Sequence, residues 1–156
     1  CGMLLQDFFS KRPIPSLYPF EKFYLSEPPL VNIGSVSNEN LSVITSYNSS
    51  LQFKVGETVA FKIVMKDSSG QPKQKGGDQI RVWLADDSTK SSMAAKVVDL
   101  HNGSYIASAP LLWAGKLRLH VALAYPREYI RAQLYVHQVL KTFRHIAAVF
   151  NKNTVS

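Results

Sequence analysis

A two-residue period in the hydrophobic pattern is the feature that most constrains this fold. Along residues 116–124 large apolar side chains occupy every second position, and they are Leu117, Leu119, Val121 and Leu123. Successive side chains of a β-strand point to opposite faces of a sheet, whereas a helix would spread this set around its axis. The run therefore predicts a strand with a core face, and an outer face that carries Lys116, Arg118 and His120.

Similar runs recur along the chain and are separated by turn signals such as Asp67–Gly70 and Asn102-Gly103. The predicted strands cover residues 41–47, 58–66, 79–84, 93–99, 105–109 and 116–124, with a further candidate at 145–150. About seven short strands of this kind are typical of a β-sandwich. After Tyr125-Pro126 the period changes, and residues 127–142 are predicted to form a helix near the C-terminus. The chain is thus expected to be all-β with one helix.

The first thirty residues have a different composition from the rest. They hold five of the eight prolines and are interleaved with aromatic residues. We expect residues 1–30 to form an irregular arm that lies across the domain or a partner. The sandwich is predicted to span residues 31–152, and residues 153–156 are expected to be a tail.

The charge is distributed unevenly. The formal net charge is +7, and residues 100–156 carry seven Lys or Arg but one acid, Glu128. This excess is either a solvated basic face or a surface for an anionic partner such as an acidic protein, an anionic glycan or a lipid head group. The basic residues are scattered and fit no nucleic-acid-binding motif, so nucleic acid is not expected. The predicted patch for an anionic partner comprises Lys116, Arg118, His120, Arg127, Arg131 and Lys141.

Cysteine content and hydropathy bear on the cellular compartment. Cys1 is the single cysteine, so an internal disulfide is excluded, and the thiol is either free or paired with another chain. No run approaches the roughly 20 apolar residues that a membrane span needs. The segment Met3–Phe9 is too short and polar for a signal peptide. A first residue other than Met suggests a processed or excised fragment.

Several short motifs together resemble one protein family. They are Val55-Gly56-Glu57, Lys66-Asp67 with Gly70, Lys75-Gly76-Gly77-Asp78, the run from Lys96 to Tyr105, Leu112–Lys116 and Tyr125-Pro126. In this order they resemble the NXPE (neurexophilin and PC-esterase domain) family over residues 32–150, and some are also similar to filamin repeats. Both resemblances imply an immunoglobulin/filamin-like β-sandwich. Lys54 stands where the NXPE family often has Cys, and the family's esterase-like domain would follow Ser156.

Three N-glycosylation sequons begin at Asn40, Asn48 and Asn102. Asn102 also lies in a predicted tight turn, because Asn-Gly accepts positive φ. Asn40 and Asn48 are therefore the better acceptors if the chain follows a secretory route.

No catalytic, cofactor-binding or metal-binding residue is predicted. Gln79 follows Asp78 where a Gly-Asp-Ser nucleophile would need Ser, and the acids at 86, 87 and 99 form no calcium-binding ladder. The four histidines lack metal-ligand spacing. Trp83 lies on the face opposite Ile80, Val82 and Leu84, so it is either covered by a loop or the arm, or anchors a partner.

These features favour a non-catalytic interaction module in an extracellular protein or a secretory-pathway lumen, with a protein or anionic glycan as partner. One alternative is the accessory domain of a glycan-acting esterase or acetyltransferase whose catalytic domain is elsewhere. A second is a filamin-like cytoskeletal repeat, although no internal repeat array is present.

Overall fold

A computed structural model describes residues 19–26, 32–48 and 52–139 of the chain. This part is mostly β, with two helices and a 3-10 turn at Ile33–Ser35. Helix α1 spans Pro19–Leu25, and helix α2 spans Arg127–Leu134 and continues as a π-helical turn, Tyr135–Val139. The strands are β1 Ser37–Ser46, β2 Thr58–Asp67, β3 Gln79–Asp86, β4 Ser91–Ala94, β5 Lys96–Asp99, β6 Ser104–Pro110 and β7 Leu117–Tyr125.

The strands form two antiparallel sheets. One sheet has four strands in the order β1-β2-β6-β5, and the other has three in the order β4-β3-β7. The run at 93–99, predicted as one element, is divided at Ala95, where the chain crosses from one sheet to the other. The Ala95 amide donates to the Val82 carbonyl at 2.8 Å, so the crossing point stays bonded to β3. The other strands predicted between residues 41 and 124 are confirmed.

Both sheets contribute to the core. One buried cluster takes its members from β2, β3 and β6, and they are Ile63, Met65, Ile80, Val82, Tyr105 and Ala107. A second joins Val59, Leu84, Met93, Ala109 and Leu111. Burying one large aliphatic side chain contributes about 1.5–3 kcal/mol, so these clusters supply the main attraction between the sheets.

The predicted core face of β7 is confirmed by its pairing with β3. Leu119 lies opposite Leu84, and Val121 lies opposite Val82, which places both on the buried face. They are only half-buried because β7 is the edge strand of its sheet among the described residues. The outer face has the predicted register as well, with His120 opposite Trp83.

Part of the predicted N-terminal arm, Pro19–Leu25, is helical rather than irregular. Residues 1–30 were expected to be irregular because prolines would interrupt every element, yet Pro19 begins helix α1. Proline is tolerated there because the first turn of a helix has no partner for its amide groups. The rest of the predicted arm, helix residues 140–142, the candidate strand at 145–150 and the tail at 153–156 lie outside the described residues. None of the described helices has the length and apolar character required to cross a membrane.

Candidate functional site

The segment Gly76-Gly77-Asp78 forms the centre of a buried polar hub. Asp78 accepts the backbone N–H of Arg127 at Oδ1 over 2.8 Å, and its own N–H donates to the Tyr105 hydroxyl over 2.8 Å. The Tyr105 hydroxyl in turn donates to Asp78 Oδ2 over 3.2 Å. Asp78 therefore joins the start of α2 to β6, as expected for a loop aspartate that binds backbone amides.

Arg127 fills the hub from the side of α2. Only 2% of the residue is exposed, its Nη1 donates to the Gly76 carbonyl at 2.7 Å, and its guanidinium lies 4.6 Å from the ring centre of Phe23. Cation–π contact and a carbonyl partner compensate part of the cost of burying the charge. The prediction that Arg127 belongs to a surface patch is therefore wrong, because this side chain is buried beneath α1.

A buried ion pair between Lys73 and Glu128 lies next to Arg127. Lys73 Nζ and Glu128 Oε1 are 2.5 Å apart, with 12% and 6% of their side chains exposed. Lys73 also donates to the Ser35 carbonyl, and the Ser37 amide donates to Glu128 at 3.4 Å. Sequence reasoning missed this pair, although Glu128 was conspicuous as the single acid in the basic third of the chain.

Burial sets the protonation behaviour of the hub. Desolvation raises the pKa of Asp78, and the nearby Glu128 charge raises it further, while hydrogen bonds from Arg127 and Tyr105 oppose the rise. Burial and the Asp78 charge also raise the pKa of the Tyr105 hydroxyl, which stays protonated and can donate. Both carboxylate oxygens of Asp78 are engaged, so the hub fixes α2 and the end of the sheets in place.

The outer face of the three-stranded sheet carries an aromatic pair. Trp83 on β3 and His120 on β7 stack with ring centres 5.0 Å apart and planes inclined by 4°. Because His120 covers the β7 side of the indole, the other indole face is turned toward β4, where the register partner of Trp83 is Ala94. Ala94 is small and exposed, so it leaves space beside the ring.

Cationic side chains flank this aromatic pair. Arg81 and Arg118 are exposed residues on the same face, one to each side along the strands. Arg118 Nη2 contacts Asp87 Oδ2 at 2.9 Å, and both side chains are mostly exposed. Next to Arg118, a shallow depression of about 370 Å³ includes Lys116 in its lining. We call the four residues Arg81, Trp83, Arg118 and His120 the Trp83 face.

The six residues of the predicted anionic-partner patch do not form one surface. Lys116, Arg118 and His120 share one end of β7, whereas Arg131 lies beyond its other end, where Nε donates to the Tyr24 carbonyl at 3.1 Å. Arg127 is buried, and Lys141 lies outside the described residues. Alternation along the strand places Arg81 on the same face as Trp83, but the predicted patch did not include it.

A groove of about 760 Å³ opens between the sheets and is lined largely by apolar residues, with Phe53, Phe61, Leu111 and Trp113 among them. The indole N–H of Trp113 is buried and has no hydrogen-bond partner within residues 19–26, 32–48 and 52–139. Trp113 packs on the second core cluster.

Metal-ligating side chains are dispersed: within residues 19–26, 32–48 and 52–139, no three of His, Cys, Asp and Glu converge on one point. The chain matches no model of a known protein family.

Proposed function

We propose that this chain is a non-catalytic interaction domain of a secreted or lumenal protein and that its Trp83 face binds an anionic glycan. The proposal includes a fold of the immunoglobulin/filamin type and kinship with the NXPE family. The stacked Trp83–His120 pair between two exposed arginines is the observation that carries it.

The strand order supports the immunoglobulin type. In that fold one sheet contains strands A, B, E and D, and the other contains C, F and G, to which some members add C′. Strand G has no counterpart among the described strands. The order β1-β2-β6-β5 has the same connectivity as A-B-E-D, and β4-β3-β7 corresponds to C′-C-F. The crossing at Ala95 then corresponds to the passage from C′ to D.

The hub supports the NXPE kinship. Residues that carry the resemblance are distant in sequence, yet Gly76, Gly77, Asp78, Asp99 and Tyr105 meet in one bonded cluster. A set of motifs that converges on one structural feature is a stronger sign of kinship than scattered motifs, because the contacts require the residues jointly.

The chemistry of the Trp83 face suits an anionic sugar. The indole face turned toward β4 offers an apolar platform on which the C–H face of a sugar ring can lie, and the small Ala94 side chain leaves room for that ring. The Arg81 and Arg118 guanidinium groups can each bind a sulfate or carboxylate through two parallel hydrogen bonds. Arg118 forms an ion pair with Asp87, but this pair is exposed and contributes at most about 1 kcal/mol. An anionic ligand can therefore displace the Asp87 carboxylate from Arg118.

Binding to arrays of sulfated, sialylated and neutral glycans tests this proposal. Wild-type protein should bind the sulfated or sialylated members at low salt, and binding should weaken strongly at roughly 0.5 M salt. Trp83→Ala and Arg118→Ala should each reduce affinity at least about tenfold, which corresponds to the 1.4 kcal/mol expected for one good charged or stacking contact. Asp87→Asn should increase affinity because Arg118 loses its competing partner.

Lys96→Ala is the matched control. It removes one exposed positive charge on β5, in the other sheet, and should leave binding unchanged. Equal losses in Lys96→Ala and Arg118→Ala would mean that net charge, rather than the Trp83 face, controls binding. If the face instead binds acidic peptides and no glycan on the array, the glycan proposal is wrong.

A further inference from the structure

Strand β1 is a long edge strand with an unusual surface. Among the described residues it pairs with β2 alone, and its ten residues include a single charge, Glu39, and no proline. Four large apolar residues on or directly after it are 40–56% exposed, and they are Leu41, Val43, Ile44 and Tyr47. A long edge that exposes apolar side chains and has no lysine or proline can pair with another chain unless something covers it or a bulge twists it away.

A bulge interrupts this edge at the first sequon. Asn38 pairs with Lys66 and Val43 pairs with Val64, so residues 39–42 lie opposite the single residue Met65. The Ser42 hydroxyl donates to the Asn38 carbonyl at 2.6 Å and accepts the Lys66 amide at 3.0 Å. This hydroxyl replaces ladder hydrogen bonds that the bulge interrupts, while Asn40 is exposed on the bulge.

The three sequon asparagines differ in what their side chains do. Asn48 is half-buried, and its Oδ1 accepts the Ala60 amide of β2 at 3.2 Å. Asn102 holds the turn before β6, with Oδ1 accepting the Ser104 amide at 3.1 Å. The carboxamides of Asn48 and Asn102 thus have structural tasks that fix their orientation. Asn40 is fully on the surface, and its carboxamide has no such task in the described part of the chain.

We infer that Asn40 is the principal N-glycan acceptor of this chain and that its glycan shields the β1 edge from pairing with other chains. The inference rests on the secretory location in the proposed function. In the modification, Asn40 Nδ2 forms a bond to the anomeric carbon of a lipid-diphosphate-linked oligosaccharide and loses one proton. The bond from that carbon to the diphosphate oxygen breaks, and the lipid diphosphate leaves with the electron pair.

The acceptor is identified by expressing the chain behind a cleavable secretion leader in mammalian cells. Asn40→Gln should remove most of the mobility shift that an endoglycosidase for N-glycans produces, whereas Asn48→Gln and Asn102→Gln should retain it. Ser42→Thr keeps both the sequon and the bulge-filling hydroxyl, and it should remain glycosylated. Ser42→Ala is unsuitable because it also removes two hydrogen bonds of the bulge. The assignment would be overturned if the secreted wild-type chain carried no glycan. It would also be overturned if most of the Asn40→Gln protein were still glycosylated.

Self-association tests the shielding. Enzymatically deglycosylated chain and the Asn40→Gln variant should both associate at several-fold lower concentration than glycosylated chain in sedimentation velocity runs. Asn48→Gln should behave like wild type. Equal association of glycosylated and deglycosylated chain would overturn the shielding role. Binding by the Trp83 face is measured separately on chain produced in bacteria, which carries no such glycan, so failure of one proposal is distinguishable from failure of the other.

Discussion

The backbone N–H of Arg127 donates to the carboxylate of Asp78 at 2.8 Å, and this bond joins the first residue of α2 to the last residue before β3. The Arg127 side chain returns to the same loop through the Gly76 carbonyl at 2.7 Å. The C-terminal helix is therefore fastened to the sheets by both the main chain and the side chain of one residue. The position of α2 depends on the hub as well as on apolar contacts.

The fold should tolerate an amide in place of the Asp78 carboxylate, whereas loss of the whole polar group should destabilise it. Asp78→Asn keeps an acceptor for the Arg127 amide, so we expect the free energy of unfolding to stay within about 1 kcal/mol of wild type at neutral pH. Asp78→Ala leaves the buried Arg127 amide and Tyr105 hydroxyl without this partner and should cost about 1–3 kcal/mol. Urea unfolding followed by tryptophan fluorescence measures both. A similar loss in the two variants would show that the charge itself is needed.

The raised pKa of Asp78 has a definite consequence for stability against pH. Because burial raises the folded-state pKa above the ordinary value of 3.8, the folded state binds a proton more tightly than the unfolded state. As pH falls through the raised pKa toward 3.8, wild type should gain stability relative to Asp78→Asn, which cannot titrate there. Paired urea titrations along this pH range measure the difference. Wild type that gains no stability relative to Asp78→Asn on acidification, or that loses stability relative to it, would contradict the assigned direction.

Gly77 should be far less replaceable than Gly70. Both have positive φ, of +104° and +78°, where any other L-residue is strained by about 1–2 kcal/mol. A Cβ on Gly77 would also lie 2.9 Å from Tyr24 Cε1 and 3.0 Å from Arg127 Nη1, whereas a Cβ on Gly70 would meet nothing within 4 Å. We expect about 1 kcal/mol of destabilisation for Gly70→Ala and about 2–4 kcal/mol for Gly77→Ala, measured as shifts in the urea midpoint. Equal shifts would mean that α1 does not pack tightly on this loop.

Alternation along single strands predicted much of this fold. The face shared by Leu119 and Val121 follows directly from the two-residue period, and so does the opposite face with Trp83 and His120. Turn chemistry located the His101–Ser104 turn, but its positive φ angles fall at His101 and Gly103 rather than at Asn102.

The hub was beyond such reasoning because its contacts join residues remote in sequence. Lys73 meets Glu128 across 55 positions, and Arg127 meets Gly76 across 51. Single-strand periodicity carries no information on such pairs. A basic residue in a basic third of the chain was therefore assigned to the surface, although Arg127 is buried.

Leu119 and Arg118 provide a direct test of the β7 register. Leu119 packs against both core clusters but remains half-buried, so Leu119→Ala should cost about 2 kcal/mol, the lower end of the range for truncating core leucines. Arg118→Ala removes an exposed side chain and a surface ion pair, and it should change the free energy of unfolding by no more than about 0.5 kcal/mol. Thermal and urea unfolding of the two variants, one residue apart, decide the register. A larger loss for Arg118→Ala would contradict it.

Removing one partner of the Lys73–Glu128 ion pair should destabilise the fold more, per charge removed, than removing both partners together. Glu128→Gln leaves the Lys73 ammonium buried without its counter-charge, and Lys73→Met leaves the Glu128 carboxylate near Asp78. Each should cost about 3 kcal/mol. The double variant removes both charges, so its loss should be clearly smaller than the sum of the two single losses. Urea unfolding of the four proteins at neutral pH gives the coupling energy. Additive losses would mean that the two residues stabilise the hub independently, through the Ser35 carbonyl and the Ser37 amide rather than through each other.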